Sequence, residues 1–220
     1  MRKTNDISLI VMICILILFG ISLIVLFFNA NNINDNSSLE NNNINVYDEH
    51  KHEIAENNNI INFKKVHEDI ATYTTKIQDK DSNRIYNIKL ATKKLDGHIV
   101  KSGEEFSFNN TMGTMGKADG YKKAIGFDSN GNKIKMYGGG ICQISSTLYN
   151  AVLASDLQVT ERHAHSRRVY YVPKNKDATV FYGGADFKFK NTSDSNIMIC
   201  ASTDGYTVTI TLKQERIKET

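Results

Sequence analysis

Hydrophobic positions along this chain fall into three rhythms: an unbroken run, a helical period and a strand-like alternation. The unbroken run is residues 7–28, ISLIVMICILILFGISLIVLFF, which carry no charge. A helix needs about 20 apolar residues to cross the hydrocarbon of a bilayer, so this run predicts a single N-terminal transmembrane helix. A cleaved signal peptide has a shorter apolar region, about 7–15 residues, followed by a small-residue cleavage site, and neither feature is present. Arg2 and Lys3 precede the run, and no Lys or Arg follows until Lys51. The positive-inside bias then puts residues 1–6 in the cytoplasm and everything after residue 28 outside the cell membrane. Residues 29–59 are rich in Asn, with too few apolar groups to offset the entropy of ordering, and read as a flexible stalk. Residues 60–220 suit one domain of ordinary size.

The helical period occurs twice in that domain. Ile85, Ile88, Ala91 and Leu95 lie on one face of a helix predicted over 85–95, stopped by the Asp96-Gly97 turn signal. Ile144, Leu148, Ala151 and Val152 recur at the same spacing in a helix from about Cys142 to Leu157. Strand-like stretches fill the rest. An edge strand and a loop are predicted in 63–84, and short strands at 98–100 and 106–108. Residues 109–126 are glycine-marked and irregular, and a hairpin turns at Ser129-Asn130-Gly131. Extended chain is predicted over 159–172, 178–182 and 186–190, with Phe187 and Phe189 opposite Asp186, Lys188 and Lys190. A final hairpin joins 197–202 to 206–212 through Thr203-Asp204-Gly205. The fold class is therefore α+β, an antiparallel-rich sheet packed with one or two helices.

Charge alters this picture little. A net +3, with Lys pairs scattered at 64–65, 93–94 and 122–123, gives no footprint for nucleic acid. Of the three cysteines, Cys14 lies in the apolar run, and Cys142 and Cys200 lie outside, where a bridge between them is chemically permitted. Cys200, between Ile199 and Ala201, reads as a core residue.

Cys142 has a different setting. Gly138-Gly139-Gly140 delivers the chain to it at the predicted start of a helix, where free N–H groups and the positive dipole end favour a thiolate. The glycines permit positive φ in a sharp strand-to-helix turn and close approach of a substrate. The N–H groups of Cys142 and Gln143 are candidate oxyanion donors. A nucleophilic thiol wants a base and a group to orient it. Strand alternation puts Glu161, His163, His165 and Arg167 on one face, which makes His163 or His165 the base without separating them. Asp186 and Asp177 are both available as orienter, and the alternation with Phe187 and Phe189 favours Asp186. A small buried thiol is the bland alternative. A zinc site of Cys142, His163, His165 and Asp186 uses acceptable ligand types but has no second close ligand pair, so no metal and no cofactor is assigned.

The motifs GGGICQISSTLYNAVL, ERHAHS, YVP, DATVFYGG and DFKFKN, in that order after LDGHIVKSGEEFSFNNTMG and GYKKA, strongly resemble the VanW family over residues 63–212. Ser102 stands where that family usually has proline. The family takes its name from a gene of some vancomycin-resistance clusters, and its members are typically envelope proteins of Gram-positive bacteria. The resemblance implies a wall-side domain acting at peptidoglycan or its precursors. Two uses follow: Cys-His chemistry on an amide or ester bond, by hydrolysis or acyl transfer, or a non-catalytic module for wall peptide, glycan or wall-synthesis proteins. Gly139, Gly140, Gln143, Tyr149 and Arg162 are the candidate substrate contacts, with Tyr137 beside them in the binding-module reading.

Overall fold

The computed structural model describes residues 54–56 and 59–220, with side chains from residue 62 onward. The predicted cytoplasmic segment, membrane helix and most of the stalk lie outside the described residues. Among the described residues no helix is long and apolar enough to cross a membrane. At the predicted stalk–domain boundary, β1 (Ile54–Glu56) and β2 (Asn59–Ile61) pair as a short antiparallel hairpin.

The remaining strands make three antiparallel sheets. In the largest, β3 (Phe63–Lys76) is the edge beside β11 (Thr207–Glu219), followed by β10 (Ile197–Thr203) and β4 (His98–Val100). Val208, Ile210 and Leu212 alternate inward as predicted, whereas Tyr206, just before the strand, is exposed. A second sheet joins β5 (Glu105–Ser107), β9 (Lys188–Lys190) and β8 (Gln158–Glu161). The third is the hairpin of β6 (Lys123–Phe127) and β7 (Lys133–Tyr137), turned at the predicted glycine.

Helix α1 (Ser82–Leu95) starts where the Asp81 carboxylate accepts the Arg84 N–H at 2.8 Å, a side-chain N-cap. It begins three residues earlier than its apolar period shows, because the polar first turn carries no hydrophobic signal. A short helix α2 (Phe108–Met112) occupies a stretch split between a predicted strand and an irregular segment. Helix α3 (Ile141–Ala154) follows the glycines and ends earlier than the predicted Leu157.

The core lies between α3, α1 and the large sheet. Ile88, Leu95, Ile144, Leu148, Phe187, Phe189, Ile199 and Ile210 are all fully buried in it. Each such side chain stabilises by about 1.5–3 kcal/mol through apolar burial. Several polar groups inside the core are paired. Thr147 Oγ1 lies 2.8 Å from Thr75 Oγ1, tying α3 to β3. Asn87, fully buried on α1, donates to Lys122 O and Gly139 O and accepts the Lys122 N–H, so it fixes both ends of the β6–β7 unit. Cys142 and Cys200 are both free thiols. Cys200 is half-buried on the outer face of β10, opposite Thr211, because the alternation buries Ile199 and Ala201 instead.

Candidate functional site

The predicted extended run 159–172 ends at Glu161, and 178–182 contributes one isolated bridge, Thr179 to His163. Between them the chain loops out and returns along α3 as an irregular strap, residues 176–180. Side chains of α3 satisfy much of its backbone, alongside the Thr179 N–H, which donates to His163 O at 2.8 Å. Ser145 Oγ donates to Ala178 O at 2.7 Å, Ser146 Oγ accepts the Ala178 N–H at 2.9 Å, and Asn150 donates to Lys176 O at 2.6 Å. Ser146 also donates to Cys142 O at 2.7 Å. The strap is thus registered on the same helix that carries Cys142.

Cys142 is the second residue of α3, and Gly140 N-caps that helix at φ 108°. This φ lies in the region that favours glycine. The thiol faces the strap, with Sγ 3.5 Å from Val180 O and 3.8 Å from Thr179 Oγ1. His165 lines the same cavity as Cys142 and acts on the sulfur electrostatically, while the sulfur's hydrogen-bond contacts are those to the strap. Burial pushes the thiol pKa up, but the His165 interactions outweigh it and the net shift is downward. For His165, burial works against the imidazolium, while Cys142 and then Asp177 more than compensate and raise its pKa.

Asp177 is the imidazole's partner. Its Oδ2 lies 2.6 Å from His165 Nδ1 and accepts the His165 backbone N–H at 2.7 Å. Arg162 closes the other side, Nη2 at 3.0 Å from Asp177 Oδ1 and Nε donating to Asp177 O at 2.6 Å. Desolvation resists ionisation of Asp177, yet the two His165 contacts hold its pKa below the ordinary carboxylate value. Tyr171 OH sits 3.4 Å from His165 Nε2, and burial pushes that hydroxyl well above its usual range.

The geometry changes several sequence assignments. Asp186 does not meet an imidazole: it accepts from Ser107 Oγ at 2.6 Å and Asn109 N at 2.9 Å, holding the start of α2. It is buried beside Phe187 and Phe189, not on an opposite open face. His163 is exposed and binds Glu161 Oε1 through Nε2 at 2.9 Å, leaving His165 as the ring at the thiol. The Gln143 N–H is turned to Gly140 O at 3.1 Å, so the free N–H at the helix start is that of Cys142, which finds no acceptor among the described residues.

A cavity of about 750 Å³ opens over Cys142 and His165. Gly139, Gly140, Gln143 and Tyr137 line it, together with Arg84 and Phe181. Tyr149 and Arg162 do not: Tyr149 packs edge-on against Phe187, with the Arg162 guanidinium 5.5 Å from its ring centroid. Arg84, Ser146 and Tyr171 were not singled out from sequence. A polar stripe of Gln143, Ser146, Thr147 and Asn150 on an otherwise apolar helix was the one signal available, since buried hydroxyls and amides need partners.

Fold and site together define an α+β domain with a thiol at the start of a helix and an imidazole–carboxylate pair beside the same cavity. The family described as VanW like protein matches residues 83–213. The chain belongs to that family. It is 42% identical over 143 residues to the uncharacterized protein YoaR of Bacillus subtilis (strain 168), covering 65% of this chain and 47% of that protein. It is 34% identical over 127 residues to the vancomycin B-type resistance protein VanW of Enterococcus faecalis (strain ATCC 700802 / V583), covering 56% of this chain and 46% of that protein. The chain thus spans about half the length of the curated relatives it matches. No solved structure matches it.

Proposed function

We propose that this domain carries out thiol-based acyl chemistry on an amide or ester bond of peptidoglycan or its precursors, on the outer side of the membrane to which residues 7–28 tether it. The observation that carries this reading is the His165–Asp177 pair, Nδ1 to Oδ2 at 2.6 Å, with His165 and Cys142 lining one cavity large enough for a peptide segment. The wall context comes from family membership and from the resistance protein's name.

In this mechanism the Cys142 thiolate adds to the substrate carbonyl. Charge develops on the carbonyl oxygen at the helix start, where the Cys142 N–H is free. His165, held as imidazolium by Asp177, delivers its Nε2 proton to the leaving amine or alcohol as the bond to carbon breaks. A thioester remains on Cys142. His165, now neutral, takes a proton from an incoming water or amine, which attacks the thioester and releases acid or a new amide. Hydrolysis and transfer differ only in that second nucleophile.

A second reading, a binding module without turnover, draws on the exposed rings of Phe181 and Tyr182 at the cavity, which offer stacking faces. Incubation of the protein with muropeptides, wild type beside Cys142→Ala, separates the two. Product seen by mass spectrometry with wild type and lost in the variant supports acyl chemistry. Equal retention on peptidoglycan without product would establish the binder.

A further inference from the structure

Arg84 enters the same cavity from α1, and its side chain lies across Gly140. A Cβ at Gly140 would stand 2.9 Å from Arg84 Cγ, so the missing side chain makes room for the Arg84 stem as it crosses the glycine. Nη2 donates to Gln143 Oε1 at 3.2 Å. Gln143 is itself fixed, donating to Thr75 Oγ1 at 3.1 Å and Lys76 O at 3.0 Å. The guanidinium is therefore held in place, yet poorly satisfied. Its Nε is buried with no hydrogen-bond partner, and no carboxylate pairs with Arg84 among the described residues.

Arg84 is half-buried, and a cation whose Nε is withdrawn from water without a partner gains from a compensating anion. Here the protein does the opposite, placing the guanidinium beside the positive end of α3, where like charges oppose each other. Solvent-facing arginines avoid this by extending into water. The planar fork of a guanidinium matches a carboxylate through paired N–H groups. We propose that Arg84 is the carboxylate anchor of this cavity, holding the free carboxylate of an acyl donor whose neighbouring carbonyl lies at Cys142. The assignment rests on the thiol chemistry proposed above and narrows its substrates to peptides ending in a free acid close to the bond that is cut.

Paired alkylation of the full chain tests this, read at the Cys142 peptide by mass spectrometry. Iodoacetamide reports the thiolate, and iodoacetate reports the thiolate plus any attraction for a carboxylate. In wild type the iodoacetate-to-iodoacetamide rate ratio should exceed that of an uncharged small-molecule thiol by about tenfold, the scale of one charge-assisted contact. Arg84→Gln should bring the ratio down to the small-molecule value, and Arg84→Lys should keep most of the preference. A ratio unchanged by Arg84→Gln, with iodoacetamide still reacting quickly, overturns the anchor and leaves the thiol chemistry standing. Slow reaction of wild-type Cys142 with both reagents overturns the two together.

Discussion

One carboxylate oxygen, Asp177 Oδ2, contacts His165 twice, meeting ring Nδ1 at 2.6 Å and the backbone N–H at 2.7 Å. Two contacts on one atom fix both the torsion of the ring and its tautomer, because the proton on Nδ1 must face the oxygen. Nε2 is then left toward the Tyr171 hydroxyl, 3.4 Å away. Triads on unrelated folds rely on this same division of the two ring nitrogens.

Cys142 should outpace Cys200 in alkylation by iodoacetamide at neutral pH by at least about tenfold, since rate follows thiolate fraction. The Cys200 thiol is shifted up, burial being the main cause, while Cys142 is shifted down. The Cys142 rate should persist as pH falls below the ordinary thiol range and show a further inflection above the ordinary imidazole value, where His165 gives up its proton. A rate–pH curve resolved by site checks both inflections.

Asp177→Asn should lower turnover on the order of 10³-fold, by presenting the wrong tautomer of His165 to the thiol. Asp186→Ala should leave the Cys142–His165 pairing in place. It strips the acceptor from Ser107 and Asn109 instead, and costs about 2–3 kcal/mol of stability. Turnover and urea melts on the two variants should therefore separate cleanly.

Ser146→Ala removes the hydroxyl that joins Cys142 O to the strap at Ala178. A buried N–H loses its acceptor, so a loss of about 1–3 kcal/mol is expected. Turnover should fall as well, through displacement of Asp177. Hydrogen exchange at Ala178 is the direct measurement, and it should accelerate.

Glu161 gathers Lys188, His163 and the Asp186 N–H, the Lys188 contact being the largest cause, and its pKa is held at about 2. A carboxylate depressed in the folded state stabilises above its unfolded pKa, and that stability is lost as pH falls from 4.5 towards 2. Urea midpoints across this window should decline in wild type, with a shallower decline in Glu161→Gln.

At Gly139 an added Cβ would sit 2.7 Å from the backbone carbon and oxygen of Ala124. Backbone cannot step aside, so Gly139→Ala should destabilise by more than about 2 kcal/mol or displace the β6–β7 hairpin. Calorimetry reads the first outcome, and altered protection at Ala124 the second.

Both long helices, the final hairpin and the glycine-turned hairpin were legible because their backbone bonds are local and their apolar faces repeat. Ile88, Ala91 and Leu95, or Val208, Ile210 and Leu212, announce themselves by period alone. The base and its orienter were only half legible. Alternation requires a ladder, and after Glu161 only the isolated His163–Thr179 bridge continues it, the His165 N–H going to the Asp177 carboxylate instead. With no ladder beyond that bridge, His163 and His165 need not share a face, and the choice between Asp177 and Asp186 passes to tertiary contacts that no spacing encodes.

The strap has one further implication. Thiol and carboxylate both hang from α3, so their alignment is complete as soon as the helix packs, with no hinge left for a ligand to close. A site assembled this way is set by folding and does not wait on a ligand to bring its parts together. Control of the proposed chemistry would then fall to whatever reaches the cavity and to the place where the domain is displayed.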